Sequence, residues 1–269
     1  MKKASKKASQ SGMAISPKYR FETKGHTVVF GGSGEIGREI VRALVAHGVR
    51  SISFTYYRGK KVADALAAEL KRKRIQVYYA QLDPADDGAA RAFLGAAVNA
   101  VREEIKNAVN AVGWSPDTPF AKQTAALYEE VYRINTVGSV ISMRAALDRM
   151  REHNIAGAAV LVTSSNGHDS WSSFSLPYDL SKSAQSHPLV AALAQEYAPS
   201  IRVNGVSPGW IHTKMNDSVP PEEMKMELAK IFMGRLGKPE EVAKLTVFLL
   251  GSGASFITGE NYEIDGGYR

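Results

Sequence analysis

From Thr27 onward, short runs of β-branched and apolar residues alternate with longer stretches in which apolar side chains recur every three or four positions. The first pattern suits strands buried on both faces, and the second suits helices packed along one stripe. Strands are expected at 27–30, 51–56, 76–80, 108–112, 158–163, 201–206 and 261–264. Helices are expected between them at 36–47, 61–71, 88–101, 125–152 and 177–197, with two more, 221–231 and 240–250, before the last strand. Alternation of this kind builds a single α/β domain in which a doubly wound, seven-stranded parallel sheet carries helices on both faces. Such sheets bind ligands beyond the carboxyl ends of their strands, where the strand order reverses. The least regular stretch, 214–234 with Pro220 and Pro221, follows the sixth strand at that edge and is placed to form a lid.

A chain of 269 residues, 44% of them apolar, can bury a core of this size in one domain, assigned to 25–269. The formal charge of +7 raises the question of a nucleic-acid partner, and its distribution answers it. Lys2, Lys3, Lys6, Lys7, Lys18, Arg20 and Lys24 face one acid, Glu22, within residues 1–24, so the remainder is close to neutral. Residues 1–24 are therefore expected to be a disordered basic extension, and no nucleic-acid partner is expected. The alternative for this basic, Ser-containing, acid-poor stretch is a transit peptide, although its charge is mostly Lys rather than Arg. Neither a long apolar run nor the apolar block of a secretory signal is present, so the expectation is a cytoplasmic protein with no membrane partner. The absence of cysteine excludes disulfides, thiolate catalysis and Cys-based zinc sites. His168 and His212 lack metal-ligand spacing, and no metal is expected.

The first strand runs directly into the first helix through Phe30-Gly-Gly-Ser-Gly-Glu-Ile-Gly37. Gly32, Gly34 and Gly37 satisfy GxGxxG, and Gly31, Ser33 and Ile36 complete the turn. Small residues let the backbone approach a pyrophosphate, while the helix N–H groups and dipole attract its charge. An acid at the end of the second strand would bind ribose hydroxyls and repel a 2′-phosphate, but this chain has Thr55-Tyr-Tyr-Arg-Gly-Lys-Lys61. Tyr56 and Arg58 are the candidates at that end; Arg58 can pair with a phosphate through two hydrogen bonds, with Lys60 or Lys61 adding charge. The sequence thus favours NADP(H) as cofactor.

Tyr178 and Lys182 stand four apart on an expected helix and so share a face. A phenol titrates near 10, and a nearby ammonium favours phenolate. Lowering it by about three units would take roughly 4 kcal/mol of differential interaction, feasible in a partly desolvated cleft beside a cationic nicotinamide. YxxxK also occurs at Tyr56 with Lys60 and at Tyr57 with Lys61, but only the third copy follows an apolar strand that ends in Ser164-Ser165. That strand brings hydroxyls to the ligand-binding edge.

From about Thr27 to Gly267 the chain resembles the short-chain dehydrogenase/reductase family, single-domain short form, and is similar within it to the 3-oxoacyl-carrier-protein reductase group. The resemblance rests on Ser165 thirteen residues before Tyr178, on Tyr178-Asp-Leu-Ser-Lys182 and on Asn135 in Ile134-Asn-Thr-Val-Gly138. Arg202-Val-Asn-Gly-Val-Ser-Pro-Gly209 and Ile257-Thr-Gly-Glu-Asn-Tyr-Glu-Ile-Asp-Gly-Gly267 extend it. It implies a Rossmann fold, a small carbonyl or alcohol substrate, and a homotetramer or homodimer assembled through 125–152, 177–197 and the last strand. It further implies that Tyr178 donates a proton to the carbonyl oxygen as hydride arrives, with Ser165 orienting the carbonyl. Lys182 would hold the nicotinamide ribose and polarise Tyr178, and Asn135 would position a water leading to Lys182. Leu82 and Asp83 would meet adenine, Asn110 and Gly113 would line the cofactor, and Pro208, Gly209, Ile211 and Thr213 would meet its nicotinamide end.

The chain departs from the family pattern in places. Phe30 replaces the usual Thr, and Glu35, which replaces a small residue, is expected to point away from the pyrophosphate. Ala111 and Val112 replace the usual Asn and Ala, so Ala111 makes no side-chain hydrogen bond. Pro199 and Ser200 stand where carrier-protein reductases often keep an arginine. Trp114, Trp171, Phe174, Trp210 and Met215 are candidates for an apolar mouth. The leading expectation is reduction of a ketone or 3-oxoacyl group; the alternatives are an NAD(P)-dependent alcohol or sugar dehydrogenase and a non-catalytic cofactor-binding scaffold.

Overall fold

The computed structural model describes residues 22–167, 171–217 and 219–269; most of the expected N-terminal extension, and His168, lie outside these. The strands are β1 (His26–Phe30), β2 (Ser51–Tyr56), β3 (Gln76–Gln81), β4 (Ile105–Asn110), β5 (Gly157–Val162), β6 (Ile201–Pro208) and β7 (Asn261–Ile264). They form one parallel sheet in the order β3-β2-β1-β4-β5-β6-β7. The order reverses between β1 and β4, where Phe30 pairs with Asn110. Strand ends separate there because the crossovers leave toward opposite faces, which creates the crevice.

Side chains alternate across β1: Val29 faces one core, Val28 and Phe30 the other. The first core is closed by α1 (Glu35–Ala46), α2 (Lys60–Arg72) and α9 (Pro239–Leu250). On α1 the stripe Gly37, Ile40, Val41, Leu44 and Val45 is buried, which is the helical period that the sequence shows. The second core lies under α3 (Asp87–Val101), α5 (Gly138–Glu152) and α7 (Val190–Tyr197). Each large side chain buried there contributes roughly 1.5–3 kcal/mol over an exposed one.

Two expected long helices are interrupted. The first is α4 (Ala125–Tyr132), a π-helical turn (Arg133–Val137) and then α5; the second is α6 (Leu176–Ala184), a π-helical turn (Gln185–Leu189) and then α7. Pro188 lies inside the second turn, and having no N–H it cannot continue the ordinary helical ladder. Strand β4 begins three residues earlier and ends two earlier than 108–112, because Asn110 turns the chain: its Oδ1 accepts from Val112 N at 3.1 Å. The irregular 214–234 stretch contains α8 (Pro221–Lys230), which has no buried residue. Residues 22–24, counted with the extension, join the folded body through Thr23, whose hydroxyl donates to Val247 O at 3.0 Å.

Candidate functional site

The turn after β1 is held open to ligand by two glycines with different tasks. Gly31 has φ +75°, and a Cβ there would lie 2.9 Å from the Ala111 backbone; its N–H donates to Thr55 Oγ1 at 2.9 Å. A Cβ on Gly37 would strike the Gly31 carbonyl, so that position keeps α1 close to the sheet. Gly34 is the N-cap of α1 and supplies no side-chain cap, which leaves the first-turn N–H groups to an external anion. Phe30 is fully buried and packs on Phe93, centroids 6.2 Å apart, so the family's usual Thr is replaced here by a core residue.

A cleft of about 230 Å³ lies beside this turn, lined by Gly31, Ser33, Gly34, Thr55, Tyr56, Tyr57, Arg58, Leu82, Pro84, Ala111, Val112, Gly113, Trp114 and Ile134. These residues fit the adenosine half of a dinucleotide: a glycine floor, apolar walls and a cation at one lip. Arg58 lies 5.3 Å from the centroid of the Tyr57 ring. Lys60 is engaged by Asp64 at 2.9 Å, and Lys61 faces a neighbouring groove with Arg38, Arg42 and Arg72. Asp83 is not the helix cap, since Asp86 caps α3 by accepting from Ala89 N. Both Asp83 carboxylate oxygens instead receive Arg133 Nη1, at 3.0 and 2.9 Å.

Glu35 reaches across to the loop after β6. Its Oε2 accepts from Lys214 N at 2.6 Å and so ties the start of α1 to the loop after β6. Pro208 ends β6, and its carbonyl accepts from Ser165 N at 3.0 Å. Gly209 sits against Asp265, Ile211 is bridged to Gly237, and the Thr213 hydroxyl donates to Ile211 O at 3.4 Å.

At the same edge, Tyr178 and Lys182 share one face of α6, with Nζ 5.8 Å from the ring centroid. Burial dominates both. It pushes the Tyr178 phenol up to about 12, against the pull of a hydrogen bond with Ser164, and pushes Lys182 down to about 7. The sequence predicts a lowered phenol, and the structure has it raised instead: the ammonium lies over the ring face and desolvation outweighs its pull. The hydroxyl paired with Tyr178 is that of Ser164, next to the expected Ser165; the chain leaves β5 here in a turn closed by Asn166 N donating to Ser164 Oγ at 3.2 Å.

Asn110 and Asn135 do their bonding inside the protein. Asn110 Nδ2 donates to Ser142 Oγ at 2.8 Å. Asn135 exchanges two bonds with the Trp114 backbone, 2.9 and 3.0 Å, and donates to Ser181 Oγ at 2.9 Å. Gly113 faces Lys182: a Cβ there would stand 3.5 Å from Nζ.

Sequence reasoning missed three residues. Gln185 contacts both Lys182 and Asn135, Arg133 holds Asp83, and buried Asp179 collects Asn166 Nδ2, Ser172 N and Ser175 Oγ within 3.2 Å. Burial raises the Asp179 pKa, against those hydrogen bonds. The signal for Gln185 was its spacing, three residues after Lys182, which puts it on the same helix face. Among the described residues no group of His, Cys, Asp or Glu is arranged to hold a metal ion. No helix there is long and apolar enough to cross a membrane.

Residues 32–269 match the family model described as enoyl-(acyl carrier protein) reductase. The chain is 33% identical over 245 residues to an acetoacetyl-CoA reductase of Rhizobium meliloti, covering 89% of this chain and 96% of that protein. It is 29% identical over 261 residues to an NADP-dependent mannitol dehydrogenase of Alternaria alternata, with 92% and 94% covered. A solved structure from Brucella melitensis, described as a short-chain dehydrogenase/reductase of the glucose/ribitol dehydrogenase kind, superposes with a TM-score of 0.79 at 28% identity, covering 92% of this chain and 98% of its own.

Proposed function

Because the chain belongs to the short-chain dehydrogenase/reductase family, an oxidoreductase family whose members bind nicotinamide cofactors and act on small molecules, we propose that it is an NADP(H)-dependent reductase of ketone or 3-oxoacyl carbonyls. The observation that carries this reading is the half-buried Tyr178, held protonated at about 12 beside Lys182 at the ligand edge of the sheet. A neutral phenol is the form that gives a proton to a carbonyl oxygen. The bound cofactor supplies the hydride to the carbonyl carbon. As the C=O π electrons move onto oxygen, Tyr178 releases its proton there and Lys182 stabilises the phenolate left behind. The product is a secondary alcohol. Ser165 orients the carbonyl, Ser164 holds the Tyr178 hydroxyl, and Asn135 fixes the turn that backs Lys182.

In this reading Gly31, Ser33, Gly34, Ile36 and Gly37 hold the pyrophosphate, and Leu82 and Asp83 take the adenine. Tyr56 and Arg58 take the 2′-phosphate; the absence of an acid at the end of β2 and the engagement of Lys60 by Asp64 both favour Arg58 for it. Pro208, Gly209, Ile211 and Thr213 take the nicotinamide end, with Gly113 beside it. The assembly in this reading is a homotetramer or homodimer that covers the exposed Tyr132, Val137 and Leu180 of α4, the first π-helical turn and α6.

The test is binding and oxidation of NADPH and NADH with a panel of ketones, 3-oxoacyl thioesters and sugar alcohols, for the wild type and Tyr178→Phe. The expected result is NADPH-selective reduction that falls by about 10²–10⁴ in Tyr178→Phe while cofactor binding persists. Binding of neither cofactor would sink the enzyme reading. Turnover confined to alcohol oxidation would replace it with the dehydrogenase.

A further inference from the structure

Gln185 is fully buried beside the reaction centre, and both ends of its carboxamide are engaged. Oε1 accepts from Lys182 Nζ at 3.0 Å, and Nε2 donates to the Asn135 carbonyl. Two interruptions of the helical ladder make this possible. Gln185 opens the π-helical turn that contains Pro188, and the Asn135 carbonyl lies within the other π-helical turn, where it also accepts from Ser139 Oγ at 2.6 Å.

Lys182 Nζ has two further acceptors, Val162 O at 3.0 Å and Val112 O at 3.5 Å. All three are neutral. From its own helix the ammonium is faced by the Tyr178 ring, from the end of β4 by Val112 and Gly113, from β5 by Val162, and from the facing π-helical turn by Asn135 through Gln185. The Asp179 carboxylate is spent on Asn166, Ser172 and Ser175. With burial as the cause of the lowered Lys182 value, each neutral acceptor has a large share in how readily the amine stays charged.

We propose that Gln185 is a positioning residue for Lys182: its carboxamide splints the ammonium to the Asn135 carbonyl and holds Nζ beside Gly113. The proposal rests on the role given to Lys182 above. The orientation of the amide is fixed, since the Asn135 carbonyl can only accept, which turns Nε2 toward it and Oε1 toward the ammonium. Water was expected on the line from Asn135 to Lys182, and the side chain spans that line instead. A carboxamide does not hand protons along as water does, because transfer through it requires the imidic acid form. Lys182 is thus held from the Asn135 side without being resupplied with protons from it.

The experiment follows the Lys182 Nζ resonance against pH in the full, cofactor-free chain labelled with ¹⁵N-lysine, assigned by its loss in Lys182→Met. Wild type is compared with Gln185→Met, which removes the acceptor, and Gln185→Glu, which keeps the shape and adds charge. The midpoint is expected to fall by about one pH unit in Gln185→Met and to rise by about one in Gln185→Glu. The pH profile of NADPH-dependent reduction is expected to move with it in both. Midpoints unchanged in a folded Gln185→Glu, as judged by circular dichroism, would overturn the proposal even if Gln185→Met failed to fold. Midpoints that move while the pH profile stays fixed would support the splint and overturn the role of Lys182 in the reaction.

Discussion

Lys182 is a cation carried into a place with no anion to meet it. Its folded value, about 7, lies below the ordinary 10.5 because the site is dry. Between those values the unfolded chain holds a proton that the folded chain gives up, so stability climbs with pH across that window and is lost as pH falls through about 7. The slope from this one group is at most about 1.4 kcal/mol per pH unit. In Lys182→Met that part of the climb is expected to vanish, which urea unfolding of both proteins at several pH values from about 7 to 10 would show. Parallel curves would mean that the amine is not desolvated. Arg58 has the opposite character, an exposed cation without a structural task beyond its stack on Tyr57. Arg58→Ala is expected to weaken NADPH binding by about 10-fold or more, the scale of a lost charge-assisted pair, and to leave NADH within about 2-fold. Equal losses for both cofactors would move the 2′-phosphate elsewhere.

At the scale of elements, much of the fold was legible in periodicity. Strands with Val, Ile and Phe on both faces and helices with one buried stripe follow from burial alone, and all seven strands fall where their apolar runs stand. The breaks in the two long helices were less legible. Pro188 marks one, but nothing in Arg133-Ile-Asn-Thr-Val137 announces the other, which depends on what packs against it. The same limit applies to the site. Tyr178, Lys182 and the glycine turn were visible as motifs, whereas Gln185, Arg133 and the bond between Tyr178 and Ser164 are pairings across 50 residues or fewer that only folding creates. Glu35 shows both sides: its departure from pattern was visible, its partner Lys214 was not. Glu35→Ala is expected to speed hydrogen exchange at the Lys214 amide by at least about 10-fold, as the loss of a charge-assisted bond implies. Glu35→Gln, which can still accept, should show a smaller rise, and exchange unchanged in both would exclude the tether.

For the whole molecule, the reversal of strand order between β1 and β4 sets the line along which every candidate group gathers, from Gly31 through Asn135 to Thr213. Segments far apart in the chain meet at one edge, and the two cores beneath hold that edge still. The tie between Asp83 and Arg133 is partly exposed, with side chains 37% and 44% accessible, so dissolved ions reach it. Raising ionic strength therefore acts on the two nucleotides unequally. It screens Arg58 from a 2′-phosphate and so weakens NADPH alone, while loosening Arg133 from the carboxylate proposed to meet adenine touches both nucleotides alike, since both carry that base. Titrations of each cofactor across a salt series should diverge, and preference between them becomes a property of the medium as well as of the chain.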